Sequence, residues 1–332
     1  LIMPSVINKI YRLKFITPVR FGRGEGLQSL KMCASADTLF SAIFLEALRL
    51  YGDKTADEIK DAFVSGDVKI SSLMPYSTDI GDISYYLPKP ILRISGNKRI
   101  VPVENIKKYL KNIKYIRAED FQNYISESAN MTLTIEKLQK YKEDFGVERL
   151  YDKVSLCDDE PNPYRVSAYS FYEGNGLYFI MSIDNKYEEK MDEIISSIGI
   201  SGIGGKTASG YGKYEVKSNY MDENESSQIL KRMLDDSEAP IQMALGPVYP
   251  IKEDRDALKE NAFYSLEESD GFVYSTSFLN EDGNFMKRKS CVLIKEGSCF
   301  GKRLEGSLLD LSHSGKHPVW RLAKSIFIGV RI

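Results

Sequence analysis

Ser201–Gly212 reads SGIGGKTASGYG, five glycines and one lysine in twelve residues. Glycine reaches positive φ and lacks the Cβ that keeps an anion off the backbone. Gly202, Gly204, Gly205, Gly210 and Gly212 are therefore expected to offer N–H groups while Lys206 adds charge. The expected ligand carries phosphates. The flanks decide which kind. Ile194, Ile195 and Ile198 before the loop have helical spacing, whereas Tyr214 and Val216 after it alternate as in a strand. Helix, loop, strand is the reverse of the order in P-loops and dinucleotide-binding folds. Gly205-Lys206-Thr207 imitates the end of a P-loop, but the position of its first glycine holds Ile200. A ligand-free glycine turn is the plain alternative.

Working outward, Lys9–Phe15 alternates as a strand, with Tyr11, Leu13 and Phe15 on one face. Pro18, Gly22, Gly24 and Gly26 then make an irregular loop that carries Arg20, Arg23 and Lys31. Ser35 is positioned to cap a helix with Asp37 in its first turn, and Leu39, Phe40, Ile43, Phe44, Ala47 and Leu48 form its apolar face. A short helix near Asp57–Val64 and a strand near Val68–Leu73 follow. Lys98–Asp144 is polar and lysine-rich, with helix-like pieces, and is expected to be an insertion on the surface. Arg149–Leu156 and Tyr164–Phe171 flank the turn-rich CDDEPNP and read as a protruding hairpin. Leu177–Ile183 is an apolar strand and Tyr187–Ser197 a helix.

These elements, β-α-β followed by β-α-β, are those of a ferredoxin-like domain, the class that includes RNA recognition modules. After an acidic linker or short helix from Ser218 to Ser237 come several short strands and few long helices. The expected fold is α+β: two ferredoxin-like domains, residues 1–217 and 218–332, with a glycine-rich loop and a hairpin thumb on the first.

At 332 residues, with 42% hydrophobic and 28% charged, the chain has the composition of a soluble globular protein. Its apolar run Leu39–Leu50 is too short for a bilayer, and no signal peptide is read in the opening residues, where Met3 is a candidate start. A net charge of −2 excludes a generic basic nucleic-acid coat, so any nucleic-acid site is local. Cysteines at 33, 157, 291 and 299 lack C-x-x-C spacing, and His313 and His317 are the two histidines. No metal or other cofactor is expected, and a reducing cytoplasm fits.

Several stretches taken in order, VRFGRGEG, SADTLFSAIFLEAL, YYLPKP, the glycine loop, KRKSCVLIKEGS and HPVWRLAKSIF, resemble the RAMP superfamily of CRISPR proteins. Within it they are similar, from end to end, to the fourth Csm subunits of type III-A effector complexes. The resemblance implies a non-catalytic subunit of a hetero-oligomeric antiviral complex. Such a subunit grips the 5′ handle of the guide RNA and joins the large polymerase-like subunit to the repeating backbone subunit.

Carried over residue by residue, the loop with Gly202, Gly204, Gly205, Lys206, Ser209, Gly210 and Tyr211 would hold handle phosphates. Arg20, Phe21, Gly22 and Arg23, then Ser35 and Asp37, would line the same path. Arg149, Tyr164 and Arg165 belong to the hairpin, the implied thumb, and Arg288 and Lys289 would contribute from the second domain. Phe21, Tyr164 and Tyr211 are, as rings, expected in core or sheet rather than as base platforms.

The competing function is a RAMP-type endoribonuclease processing precursor guide RNA. Relatives that cut use a histidine or a first-loop aspartate. Here both histidines lie near the C-terminus and Thr17–Ser35 holds Glu25 but no aspartate. Asp37 is expected to favour the helix N-terminus, a contribution of about 0.3–1 kcal/mol.

Overall fold

The computed structural model describes residues 6–22, 26–79, 82–92, 103–130, 132–157, 160–313 and 317–331. Its organising element is strand β1 (Val6–Phe15), apolar on both faces: Tyr11 and Leu13 point into one core and Ile10 into another. Two two-residue strands, β2 (Phe21–Gly22) and β3 (Leu30–Lys31), pair within the loop that follows. Helix α1 (Ala36–Tyr51) ends at Gly52, whose positive φ lets its N–H return to the Leu48 carbonyl. Helix α2 (Asp53–Ser65) ends the same way at Gly66. Strands β4 (Val68–Ile70), β5 (Met74–Asp79) and β6 (Asp82–Pro88) follow.

Helix α3 (Val103–Asn112), strand β7 (Tyr115–Arg117) and helices α4 (Ala118–Ala129) and α5 (Ile135–Lys140) form the lysine-rich stretch. The hairpin is β8 (Gly146–Cys157) and β9 (Glu160–Phe171), paired over twelve residues from Gly146↔Phe171 to Cys157↔Glu160. Strand β10 (Gly176–Asp184), helix α6 (Glu188–Ser201) and strand β11 (Tyr214–Tyr220) complete the first half. The main sheet runs β11-β1-β10-β5-β6-β7, with β4 also on β10, and the pairs are antiparallel.

Alternation along β10 sends Leu177, Phe179, Met181 and Ile183 to one face and Tyr178 and Ile180 to the other. The first face is covered by α1, α2 and α6, through Phe40, Ile43, Phe63, Ile194, Ile195 and Ile198. The second is covered by Phe121, Tyr124 and Ile125 of α4 and by residues beyond 218. These include Leu230 and Leu234 of α7 (Glu225–Asp235), Met243 of β12 (Ile241–Ala244) and Ile328. Residues 103–140 are thus not a surface insertion: they add a strand to the sheet and a helix to its second core. The apolar i, i+3, i+4 set at 121, 124 and 125 faces inward although its surroundings are polar.

The remaining strands are β13 (Leu266–Ser269), β14 (Cys291–Ile294), β15 (Cys299–Phe300), β16 (Ser307–Asp310), β17 (Trp320–Ala323) and β18 (Phe327–Val330). They form a three-stranded sheet β15-β12-β18 and the ribbons β13-β14 and β16-β17. Among the described residues past 218, α7 is the single α-helix, so the second pair of crossover helices expected for another ferredoxin-like unit is not present there.

Ion pairs tie the halves. Asp37, fully buried, pairs with Arg321 of β17, and Lys324 donates to the Val64 carbonyl at 3.0 Å and pairs with Glu305. Asp37 does stand in the first turn of α1, as expected, but its full burial corrects the expectation that it lines a path for RNA. Ser35 likewise makes no side-chain cap; the Ala36 N–H donates instead to Ser72 Oγ at 3.1 Å.

Two outcomes are expected. Phe121→Ala, emptying a buried position in the second core, should cost about 3–5 kcal/mol in urea unfolding; a surface insertion would lose almost nothing. Burial, opposed by Arg321 and Arg288, raises the Asp37 carboxyl from 3.8 to about 6. The folded chain therefore holds that proton more tightly than the unfolded chain, and the stability it contributes falls as pH rises from about 4 to about 6. The difference in unfolding free energy between wild type and Asp37→Asn should decline over that window, and a flat difference would contradict the assignment.

Candidate nucleic-acid interface

Helix α6 stops at Gly202, whose N–H donates to Ile198 O at 2.7 Å at φ +92°. The chain then folds back against Pro18–Arg20. Gly205 N–H donates to Arg20 O and Gly212 N–H to Pro18 O, both at 2.8 Å, and Ile203 N–H to Gly212 O at 3.0 Å. Gly210 N–H donates to Thr207 O at 2.8 Å. The N–H groups of Gly202, Gly205, Gly210 and Gly212 are therefore spent inside the protein, which corrects the expectation that they present themselves to a phosphate. The glycines admit backbone rather than ligand. A Cβ on Gly204 would lie 2.5 Å from Arg20 O, and one on Gly212 2.0 Å from Ile203 O.

What faces outward is the tip of the loop. Gly204, Gly205, Lys206, Ala208 and Ser209 are exposed, and Lys206 takes a left-handed conformation, φ +64°. Its ammonium sits 5.2 Å from the ring centroid of Tyr164 on β9. Tyr211 is buried under the loop with its ring edge-on to Tyr151 of β8 at 6.0 Å, and Lys153 Nζ lies 5.7 Å from the Tyr211 ring. The glycine loop and the hairpin thus share a junction carrying two lysines, Lys206 and Lys153.

The other residues selected from sequence divide by exposure. Arg20 is buried, with its guanidinium on the carbonyls of Ser167 and Gly26, each at 2.8 Å. Burial lowers its pKa, against an upward pull from Tyr274 and Glu148, but a guanidinium remains charged. Arg20 is a backbone clamp rather than a phosphate contact. Phe21 is buried beside it and Gly22 is exposed, while Arg23 lies outside the described residues.

Arg288 is buried and donates to the carbonyls of Ser269 at 2.9 Å and Asp270 at 2.5 Å, so its expected contact with RNA is corrected to a structural one. Its neighbour Lys289 is exposed, and Ser35 is half-buried. Arg149 is exposed, and Arg165, also exposed, pairs with Asp152 at 2.9 Å, a solvated pair of little energetic weight. Lys153 was not selected from sequence. Counting back from the hairpin turn would have found it, because the register sets Lys153 opposite Tyr164.

His317 bonds Ser275 Oγ at 2.8 Å and lies edge-on to Phe278 at 4.8 Å, the surroundings of a structural histidine. Among the described residues no group of His, Cys, Asp and Glu is arranged to hold a metal ion, and no helix is long and apolar enough to cross a membrane.

Residues 237–330 match the family described as the CRISPR Csm4 C-terminal domain. The chain is 25% identical over 325 residues to the CRISPR system protein Csm4 of Mycobacterium tuberculosis (strain ATCC 25618 / H37Rv), covering 97% of this chain and 98% of that one. It is 25% identical over 338 residues to Csm4 of Streptococcus thermophilus, covering 98% and 99%.

Among solved structures, a Csm3–Csm4 subcomplex of the type III-A CRISPR-Cas interference complex contains a chain that superposes with a TM-score of 0.64 at 18% identity. The match covers 98% of this chain and 100% of that one. A Csm1–Csm4 cassette in complex with cA4 gives 0.58 at 19%, covering 98% of each. The C-terminal match, the near full-length relatives and the shared fold together support a Csm4 subunit of a type III CRISPR complex.

Proposed function

We propose that the chain is a non-catalytic, RNA-binding subunit of a type III-A CRISPR-Cas complex, acting in antiviral defence. It holds the 5′ repeat handle of the guide RNA and bridges the large polymerase-like subunit to the backbone subunit. The observation that carries this reading is the junction of glycine loop and hairpin, where exposed Lys206 and half-buried Lys153 flank Tyr164 and Tyr211 on a chain of net charge −2. A single strand held by its phosphates needs cations on a rim, not a deep cleft. Relatives solved beside Csm3 and Csm1 support the bridging role.

The order β11-β1-β10-β4, antiparallel throughout and spanned by α1, α2 and α6, supports a ferredoxin-like reading of residues 1–217, with 218–332 as the second domain. In this proposal Lys206, Lys153, Arg149, Ser209 and Lys289 meet the RNA, and Arg23 joins them from the first loop. Arg20, Asp37 and Arg288 hold the elements that present them.

Lys206→Glu with Lys153→Glu should weaken binding of guide RNA at least about tenfold while the melting temperature stays within a few degrees. The slope of log K against log salt should fall by about 0.7 for each phosphate that is no longer neutralised. Unchanged affinity in filter binding would remove the junction from the RNA path. Labelled precursor RNA incubated with the pure protein and Mg²⁺ should stay intact, and site-specific cleavage would restore the endoribonuclease alternative.

A further inference from the structure

Residues 270–289 form a second arm whose exposed face is aromatic. Phe272 bridges Lys287 across the arm, the Val273 N–H donates to Met286 O at 2.9 Å, and nearer the tip Leu279 bridges Phe285. Alternation divides the ribbon in part, since Met286, level with Val273, is 38% exposed. Val273 and Arg288 are buried on one side. On the other, Phe272 is 49%, Phe285 41% and Tyr274 82% exposed, and Lys287 is exposed beside them. Tyr274 and Phe285 meet edge to face at 5.1 Å, and the Lys287 ammonium lies 5.7 Å from the Phe272 ring.

Three rings left partly or wholly in water forgo apolar burial, and the base of the arm is pinned. Arg288 nails its base to Ser269 and Asp270, the Arg288 N–H returns to Gly271 O at 2.9 Å, and Phe278 is buried against His317. The rings are held outward.

The base of the arm is tied to the first loop, which also packs under the junction described above. Lys31, from the first loop, is ion-paired with Glu267 just before the arm. The Tyr274 phenol and Glu148 at the foot of the hairpin both act on the charge of Arg20, whose carbonyl receives the glycine-loop bond from Gly205. Rings beside a lysine suit a flat π-system attached to an anion, and an apolar protein helix would not call for the lysine.

We infer that the face of Phe272, Tyr274, Phe285 and Lys287 is a base-stacking platform for single-stranded RNA, seating a nucleobase on Tyr274 while the neighbouring phosphate meets Lys287. The inference rests on the proposed RNA grip at the glycine loop and adds its base-holding part.

The test titrates the full-length protein into a short single-stranded oligoribonucleotide carrying 2-aminopurine, whose fluorescence is quenched on stacking. Tyr274→Ala should abolish the quenching and weaken binding about tenfold or more while leaving the salt slope unchanged, because stacking releases no counterions. Tyr274→Phe should restore both quenching and affinity, and Lys206→Glu should weaken binding with the slope reduced and quenching at saturation retained. The melting curve should not move in Tyr274→Ala, whose side chain is exposed.

Wild-type affinity and quenching in Tyr274→Ala with Phe285→Ala would overturn the platform alone if Lys206→Glu still weakened binding. Loss of capture of a partner Csm subunit by that double variant, with RNA binding intact, would assign the face to protein and overturn it too. Failure of the wild type to bind any RNA would bring down the grip and the platform together.

Discussion

Three residues, Pro18, Val19 and Arg20, hold the candidate interface together through their backbone. On one side the carbonyls of Pro18 and Arg20 accept from Gly212 and Gly205; on the other, Val19 exchanges both of its hydrogen bonds with Tyr169 of the hairpin, at 2.8 and 2.9 Å. Buried peptide groups must find partners, and here they find them in two elements that are far apart in sequence. The Arg20 side chain extends the same logic by bonding carbonyls at Ser167 and Gly26. Because this seam is made of main chain at close approach, it tolerates no Cβ at Gly204, which would meet Arg20 O. The spacing between Lys206 and the hairpin rings is set by the peptide unit and not by side-chain packing.

The main sheet constrains the rest by being apolar on both faces. Tyr178 and Ile180 on one side of β10 and Phe179 and Met181 on the other are all fully buried, so neither face is open to a nucleic acid. Single strands are often laid across the open sheet of RNA recognition modules. In this chain α4, α7 and the C-terminal strands occupy that place, and the proposed RNA contacts fall on the rim, where loops and arms emerge. The same packing joins the two halves through one shared core, with the Asp37–Arg321 pair set between them. A buried pair of that kind is weak evidence for stability, since desolvation offsets much of the attraction. Its value lies in fixing how α1 meets β17.

Helix, glycine loop and strand were legible because period and composition change sharply at Ser201 and Tyr214. The hairpin was legible from its turn. What the glycines do was not, because a residue lacking Cβ admits a ligand or the chain's own carbonyl equally well, and only the approach of Pro18–Arg20 decides between them. Asp37 shows a similar ambiguity: a first-turn aspartate satisfies a helix end and an arginine alike, and the arginine lies 284 positions further on. The inward face of α4 was visible as Phe121, Tyr124 and Ile125 but was outweighed by the lysines around it. The C-terminal half resisted reading because its strands are too short for alternation to accumulate. Its aromatic arm passed as ordinary strand for the same reason.

The hairpin is mechanically a cantilever. Twelve residues at about 3.3 Å each give it a length of about 40 Å, and the ties to the body named above lie on the near side of Lys153 and Tyr164. A load applied at the far end is delivered, with leverage, to the seam at Val19 and to the ring beneath Lys206. The candidate site and the hairpin share one fulcrum, so a displacement of either is transmitted to the other without a separate relay.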